Sequence, residues 1–281
     1  MQIGAHVSTH GGLFGAIHSA QEIGADAAQI WGSNPRAWRP PSVGPDGARA
    51  FGDAWREAGL GPLFLHAPYM VNVASPNPDF RRRSVNLARA TVALAEGIGA
   101  VGVVVHAGAA GRTTPRETAL RTAADSFVAI ASDASSTFVL IELMAGGAGM
   151  VASDFGEAGE LFDACSRHPR LGLCADTCHL FAAGYALDTA AGVGEAFAEL
   201  RRYRLGTRLK LVHANDSKYP RGMRRDSHEH IGEGFIGEDG FRAILRHPAV
   251  RRCAVVCETR GGVEEHARDV ATLKRLARPA R

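Results

Sequence analysis

Eight short apolar runs, each followed by a stretch of helical periodicity, constrain this 281-residue chain more than any other feature. The runs cover residues 2–7, 26–31, 62–67, 101–107, 137–143, 171–176, 209–214 and 253–258. Each is apolar almost throughout, as expected of strands buried on both faces of a parallel sheet. Helical stretches are expected over residues 12–23, 46–58, 79–98, 115–132, 154–167, 189–203 and 263–276, with a weaker one near 238–245. Several open on Asp, Thr or Pro, which favour helix N-termini. Parallel neighbours need a crossover between strands, and eight βα units in roughly 250 residues predict an α/β fold, a closed (β/α)8 barrel. An open, doubly wound sheet is the alternative, because periodicity gives elements and not closure. No Gly/Ser/Pro-rich linker divides the sequence, so residues 1–281 are expected to form one domain ending in a basic tail from Lys274 to Arg281. Residues 34–47 hold four prolines and read as a loop after the second run, a place where barrels concentrate function.

With 46% hydrophobic and 22% charged residues the chain is not a disordered one. It shows neither a basic start leading into a long apolar run nor an uncharged apolar stretch of about 20 residues, so neither a signal peptide nor a membrane span is expected. Cys165, Cys174, Cys178, Cys253 and Cys257 are odd in number and match neither a zinc ribbon nor a disulfide framework. That predicts a reducing, cytoplasmic compartment. The net charge of +3 is too mild to demand a nucleic-acid partner, although arginines cluster at 81–83 and 221–225.

The ends of the runs carry the chemistry. His66 closes the third, His106 the fourth, Glu142 the fifth, Asp176 the sixth, His213 the seventh and Glu258 the eighth. In a barrel these ends converge on one face, where barrel enzymes place their active sites. Ionisable groups crowded at one rim are costly to desolvate unless cations compensate them. His179 follows in Asp176-Thr-Cys-His179, and Asp226 and His228 form an Asp-x-His pair in the loop after the seventh run. Imidazole and carboxylate without thiolate suit Zn²⁺ or Mn²⁺ with open coordination positions. Nine such ligands fit two or three ions, with a carboxylate bridging one pair.

Motifs spanning nearly the whole chain carry a resemblance. They are Ile3-Gly-Ala-His-Val-Ser8, Gln29-Ile-Trp-Gly-Ser-Asn-Pro-Arg36, His66-Ala-Pro-Tyr69, His106-Ala-Gly108, Asp176-Thr-Cys-His-Leu-Phe-Ala-Ala-Gly184, His213-Ala-Asn-Asp-Ser-Lys218, Asp226-Ser-His-Glu-His-Ile-Gly-Glu-Gly234 and Cys257-Glu-Thr259. With them the sequence resembles the endonuclease IV family of apurinic/apyrimidinic (AP) endonucleases. The resemblance implies three zinc ions, with Mn²⁺ as the alternative at one or more positions. His66, His106 and Glu142 would hold one; Glu142, Asp176, His213 and Glu258 a second; His179, Asp226 and His228 a third. Two places depart from the family: Glu142-Leu-Met-Ala-Gly-Gly-Ala-Gly149 where Asn-Thr-Ala-Gly-Gln-Gly usually follows the Glu, and Glu258-Thr-Arg260 where Glu-Thr-Pro is usual. Lost polar groups there put rate and substrate range in question more than metal binding.

The implied activity is hydrolysis of the phosphodiester 5′ of abasic sites in duplex DNA, leaving a 3′-hydroxyl and a 5′-deoxyribose phosphate. Glu142 and Glu258 would be the catalytic carboxylates, acting with a hydroxide generated at the metal centre. Trimming of blocked 3′ ends would be an added activity of the same site. The abasic nucleotide would have to be extruded from a bent duplex. Arg36 and Tyr69 would insert beside it, with Met70 as an apolar neighbour. Asn34, Asn215, Ser217, Lys218, Arg221, Arg224 and Arg225 are candidates for phosphate contacts or ligand support. Two other readings stay open: a metal-dependent sugar isomerase or epimerase of the xylose-isomerase-like barrels, and a catalytically weak abasic-DNA-binding protein. No nucleotide cofactor is expected, since Gly232-Glu-Gly-Phe-Ile-Gly237 has the G-x-G-x-x-G spacing but follows no long apolar strand. His6 and His10 could support the centre from the first run, His230 competes with His228 for its role, and Cys178 is expected to be a packed thiol.

Overall fold

The computed structural model describes residues 1–279, so Ala280 and Arg281 of the expected basic tail lie outside the described residues. The elements run β1 (Gln2–His6), α1 (Gly15–Glu22), β2 (Ala27–Trp31), α2 (Pro45–Glu57), β3 (Leu63–His66), α3 (Pro78–Ile98), β4 (Gly102–His106), α4 (Arg116–Ala131), β5 (Phe138–Glu142), α5 (Phe155–Ala164), β6 (Leu171–Asp176), α6 (Thr177–Ala183), α7 (Ala190–Arg202), β7 (Leu209–His213), β8 (Asp216–Ser217), β9 (His228–Glu229), α8 (Gly237–Arg246), β10 (Ala254–Cys257) and α9 (Val263–Ala277). Eight parallel strands close in the order β1-β10-β7-β6-β5-β4-β3-β2, with Gln2 opposite Ala254 and Gly4 opposite Ala27 at the seam. Closure excludes the open doubly wound sheet. Among the described residues no helix is long and apolar enough to cross a membrane.

Each expected strand is present within a residue of its expected ends. The departures have local causes. The helix expected from residue 12 starts at Gly15, because Gly11 and Gly12 hold φ of 80° and 104°. The one expected over 154–167 stops at Ala164, and Ser166 and Arg167 turn away with φ of 49° and 47°. The proline-rich loop is shorter than expected, since Pro45 opens α2 at a position where its missing N–H costs nothing. Three elements lack a counterpart in the sequence reading: α6, and the two strands of the antiparallel pair β8/β9 inside the segment read as plain loop.

The barrel is filled from inside by Ala27, Phe64, Val104, Leu140, Cys174, Leu211, Ala254 and Val256. A larger apolar layer packs the helices against the outside of the strands. Side chains alternate along a strand, so the residues two positions on from the inner layer point inward again, one level nearer the C-terminal mouth. They are Gln29, His66, His106, Glu142, Asp176, His213 and Glu258. The strand period itself therefore stacks a polar ring on an apolar plug. Gly4 belongs to the same interior: a Cβ there would fall onto the Ala27 carbonyl of the neighbouring strand. Gly4→Ala is expected to destabilise the fold by about 2–3 kcal/mol. An unchanged unfolding midpoint in denaturant would contradict that close approach.

Candidate metal centre

Strand ends and short-range turns fix each side chain. Asp176 ends β6 and caps α6, its Oδ1 accepting the His179 N–H at 2.9 Å, so one carboxylate both faces the pocket and starts the helix that carries His179. His228 lies on β9, paired with Ser217 on β8, which brings the segment after β7 back over the mouth. Asn215 ties β7 to its neighbours: its Nδ2 donates to Asp176 Oδ2 at 2.6 Å and its Oδ1 accepts the Glu258 N–H at 2.7 Å. Thr177 adds a buried hydroxyl that accepts the Asn215 N–H at 2.9 Å.

Thiols aside, the donor atoms gather in three sets: His66, His106 and Glu142; Glu142, Asp176, His213 and Glu258; His179, Asp226 and His228. Within each set the atoms lie within 4.8 Å of one another. These are the sets the resemblance implies. Glu142 stands between two of them, with Oε2 3.0 Å from His66 Nε2 and 3.2 Å from His106 Nε2, and Oε1 3.0 Å from His213 Nδ1. His213 Nδ1 is also 3.1 Å from Glu258 Oε2. Asp226 spans the third set, 3.2 Å from His179 Nε2 and 3.1 Å from His228 Nε2.

The outer ring nitrogens have their own partners. His66 Nδ1 lies 2.6 Å from the Ala67 carbonyl, His179 Nδ1 2.8 Å from the Leu143 carbonyl and His228 Nδ1 3.1 Å from the Glu258 carbonyl. A carbonyl only accepts, so in each ring Nδ1 carries a proton and Nε2 faces the pocket, where a cation in place of a second proton would meet a lone pair. His179 Nε2 and His228 Nε2 are buried without a hydrogen-bond partner. Orphaned buried ring nitrogens aimed at a shared carboxylate are what metal ligation requires, so the residues fit the cations.

Charge points the same way. Burial pushes Glu142 up, but His213 and His106 outweigh it and hold it well below the usual carboxylate range. Glu258 and Asp226 are lowered against the same burial penalty, by His213 and by the pair His179 and His228. Burial disfavours charge on the imidazoles as well, yet Asp176 and Asp226 raise His179 well above its ordinary value and His228 to about 9. Imidazolium protons thus offset the carboxylates where cations would. For His228 the raised folded value makes its stabilisation complete below the unfolded value of 6.5 and lost as pH rises through about 9. Chelator-treated protein should therefore unfold at lower temperature at pH 9 than at pH 6.5, and added zinc should remove that slope. A midpoint of the chelated protein that rises over this range would contradict the assignment.

The family follows from comparison. A family model described as a xylose isomerase-like TIM barrel matches residues 17–276. The probable endonuclease 4 of Streptomyces coelicolor is 40% identical over 278 residues, covering 98% of this chain and 94% of that one. The crystal structure of endonuclease IV from Thermus thermophilus superposes with a TM-score of 0.84 at 30% identity, covering 98% of both chains. The chain belongs to the endonuclease IV family. A D-tagatose 3-epimerase-like protein also superposes, with a TM-score of 0.73 at 21% identity over 98% of this chain and 97% of that one, a likeness of fold alone.

As a member of the endonuclease IV family the chain begins its first departure at Leu143, directly after Glu142, where the buried residue still offers its carbonyl to His179 Nδ1. Met144 to Gly149 form a glycine-turned loop with Gly146 and Gly149 at φ of 84° and 81°, and Arg260 is exposed beyond Glu258. At the rim, Asn34 and Arg36 are exposed in a turn where Asn34 Oδ1 accepts the Arg36 N–H at 2.9 Å. Tyr69 is 62% exposed, far more than a packed aromatic, and rests against Trp31 at 4.7 Å between centroids. Trp31 in turn touches His66 at 4.8 Å, so an aromatic shelf leads from the centre to the surface. Met70 is half-buried beside it. Lys218, Arg221, Arg224 and Arg225 are all exposed between β8 and β9, and Arg221 also lies 3.6 Å from Asp188. Asn215 and Ser217 are fully buried, which leaves them ligand support and removes phosphate contact.

The remaining signals resolve on geometry. His230 Nδ1 is 2.8 Å from Asp269 Oδ2, a carboxylate that also accepts from the Ile231 N–H and the Thr259 hydroxyl, so His230 anchors the loop and joins none of the three sets. In the G-x-G-x-x-G stretch the N–H groups of Gly232, Gly234, Ile236 and Gly237 close around Asp216, and those of Glu233 and Phe235 donate to the His230 and Ser217 carbonyls, so none is left for a nucleotide phosphate. His10 is exposed, while His6 lies inside, 3.4 Å from Glu258 Oε1. Burial pushes Cys178 up to about 12, and its thiol sits 3.6 Å from the Ser227 carbonyl. Cys174 lies close to Glu142 and His213 without having been singled out, and burial likewise pushes it up to about 12. Gln29, which also went unassigned, sits among the ligands; the inward phase of the second run was the signal for it.

Proposed function

We propose that the chain is a zinc-dependent DNA repair endonuclease that hydrolyses the phosphodiester 5′ of abasic sites in duplex DNA, leaving a 3′-hydroxyl and a 5′-deoxyribose phosphate. Trimming of blocked 3′ ends belongs to the same centre. The observation that carries the reading is the convergence of inward-facing imidazole nitrogens on Glu142 and Asp226, with the outer nitrogens already satisfied. His66, His106 and Glu142 would hold one zinc, Glu142, Asp176, His213 and Glu258 a second, and His179, Asp226 and His228 a third, with Mn²⁺ as the alternative ion. Ions bound there would supply Lewis acidity toward a phosphodiester near neutral pH.

The chain's own residues do the rest. Glu142 and Glu258 are the proposed catalytic carboxylates, keeping their negative charge against burial. Tyr69 on its Trp31 shelf, with Arg36 and Met70, would fill the gap left by the extruded nucleotide, and Asn34, Lys218, Arg224 and Arg225 would meet phosphates. Selectivity then comes partly from the lower cost of deforming a duplex where pairing is already lost. The proposed compartment is the cytoplasm, in keeping with five buried, unpaired cysteines.

Zinc-loaded protein should nick a duplex carrying one stable abasic analogue and leave ketohexoses unchanged. Sugar epimerisation without nicking would replace this reading by the epimerase one, and lesion binding without nicking would make the chain a damage-binding protein. Tyr69→Ala should weaken binding to the lesion duplex about tenfold or more, within the usual worth of one stacked aromatic. The double change Arg224→Ala and Arg225→Ala should weaken lesion and intact duplexes alike and reduce the slope of log affinity against log salt by about 2. Fluorescence anisotropy across a salt series reads both, and an unchanged slope would remove these arginines from the interface.

A further inference from the structure

Besides Asn215, a second neutral amide sits among the charged side chains. Gln29, on β2, is fully buried in the inward layer that carries His66 and Glu142. Its Nε2 lies 2.6 Å from Glu258 Oε1 and 2.9 Å from His6 Nδ1, and its Oε1 lies 2.9 Å from His213 Nε2. An ionised carboxylate only accepts hydrogen bonds, so the amide nitrogen has to face Glu258 and the amide oxygen His213. His213 Nε2 must then carry the ring proton. Its Nδ1 faces the pocket, between Glu142 Oε1 at 3.0 Å and Glu258 Oε2 at 3.1 Å, and would present a lone pair to a cation bound there. The second amide hydrogen of Gln29 reaches His6 Nδ1.

The contrast with the other rings gives this contact its weight. His66, His179 and His228 rest their outer protons on backbone carbonyls, which no substitution removes. All three present Nε2 to the pocket. His213 presents Nδ1 instead, and its tautomer depends on a side chain.

We infer that Gln29 is a positioning residue of this centre: it locks His213 in the Nε2-protonated tautomer and orients Glu258. It thereby sets the zinc affinity of the set Glu142, Asp176, His213 and Glu258, and leaves that of His179, Asp226 and His228 unchanged. The inference rests on the metalloenzyme reading given above. A leucine at position 29 fills similar space but offers His213 no acceptor and Glu258 no donor, so the imidazole is free to move its proton to Nδ1, between two carboxylates.

Zinc titration against a competing chromophoric chelator, on wild-type and Gln29→Leu protein, tests the affinity. One class of zinc should bind about 10- to 100-fold more weakly in the variant, the range for loss of an outer hydrogen-bond partner, with the remaining zinc unaffected. Nitrogen NMR of ¹⁵N-histidine-labelled, zinc-loaded wild-type protein tests the tautomer without any substitution. His213 should show a protonated Nε2, and His66, His179 and His228 a protonated Nδ1. If Gln29→Leu does not fold, the wild-type spectrum decides. Zinc bound equally by both proteins, or a His213 protonated on Nδ1, overturns the role of Gln29 alone. Wild-type protein that takes up no zinc overturns the metal reading and this inference with it.

Discussion

Glu142→Gln is expected to cut nicking of an abasic duplex by at least about 10³-fold, a loss of roughly 4 kcal/mol or more of transition-state stabilisation. The side chain is fully buried at the end of β5, and its two oxygens serve different neighbours: Oε2 meets His66 and His106, Oε1 meets His213. Glutamine keeps the volume but offers one oxygen and one N–H₂ group. Whichever way the amide turns, it presents a donor to imidazoles whose inward nitrogens should carry lone pairs, and the bridging charge is gone. The loss should therefore appear first as metal content. Elemental analysis of the variant should find fewer zinc ions than in the wild type, while circular dichroism stays that of the folded barrel. A variant with full zinc occupancy and a rate within tenfold of wild type would show that Glu142 bridges nothing.

Asp216→Ala is expected to produce the largest loss of stability, about 3–5 kcal/mol, because it removes the partner of several buried groups at once. Asp216 is fully buried, and its carboxylate accepts the backbone N–H groups of Ser217 at 2.8 Å, Gly232 at 3.0 Å, Gly234 at 3.1 Å, Ile236 at 2.8 Å and Gly237 at 3.2 Å. A side chain at Gly234 would collide with Asp216 and with the Ser217 carbonyl, so the loop can close this tightly only with glycine there. In a chain of this length each kcal/mol moves the midpoint by about 2–4 °C, which gives a drop of roughly 6–20 °C in thermal unfolding. The same change should loosen β9, which pairs with β8 beside Asp216, and so weaken the zinc binding proposed for Asp226 and His228. A shift below about 2 °C would mean that solvent, and not Asp216, satisfies those donors.

The barrel was legible because fully buried parallel strands leave the plainest trace a sequence can carry, and each of the eight runs was found. Closure was not in the periodicity; the pairing of β1 with β10 supplied it. The nine candidate ligands were legible because most of them stand where a strand ends. What was missed lay where one residue serves two ends at once. Asp176 reads as a strand terminus and a ligand, which hides that it also caps α6. The G-x-G-x-x-G stretch reads as a lone motif until Asp216, sixteen residues before its first glycine, is seen to fill it. Gln29 was quoted within a motif, but its neutrality drew no attention; only the phase of β2, one turn of the pleat above Ala27, places it among the ligands.

The central claim is that this rim is a metal-dependent centre that cuts beside abasic sites. Its most direct test maps the cut at single-nucleotide resolution on an end-labelled duplex with one stable abasic analogue, against an intact duplex, using zinc-loaded and chelated protein. One nick is expected immediately 5′ of the lesion, ending in a 3′-hydroxyl, present with zinc and absent from the chelated protein and the intact duplex. Zinc-loaded protein that leaves the lesion strand whole, or cuts it equally after chelation, would contradict it.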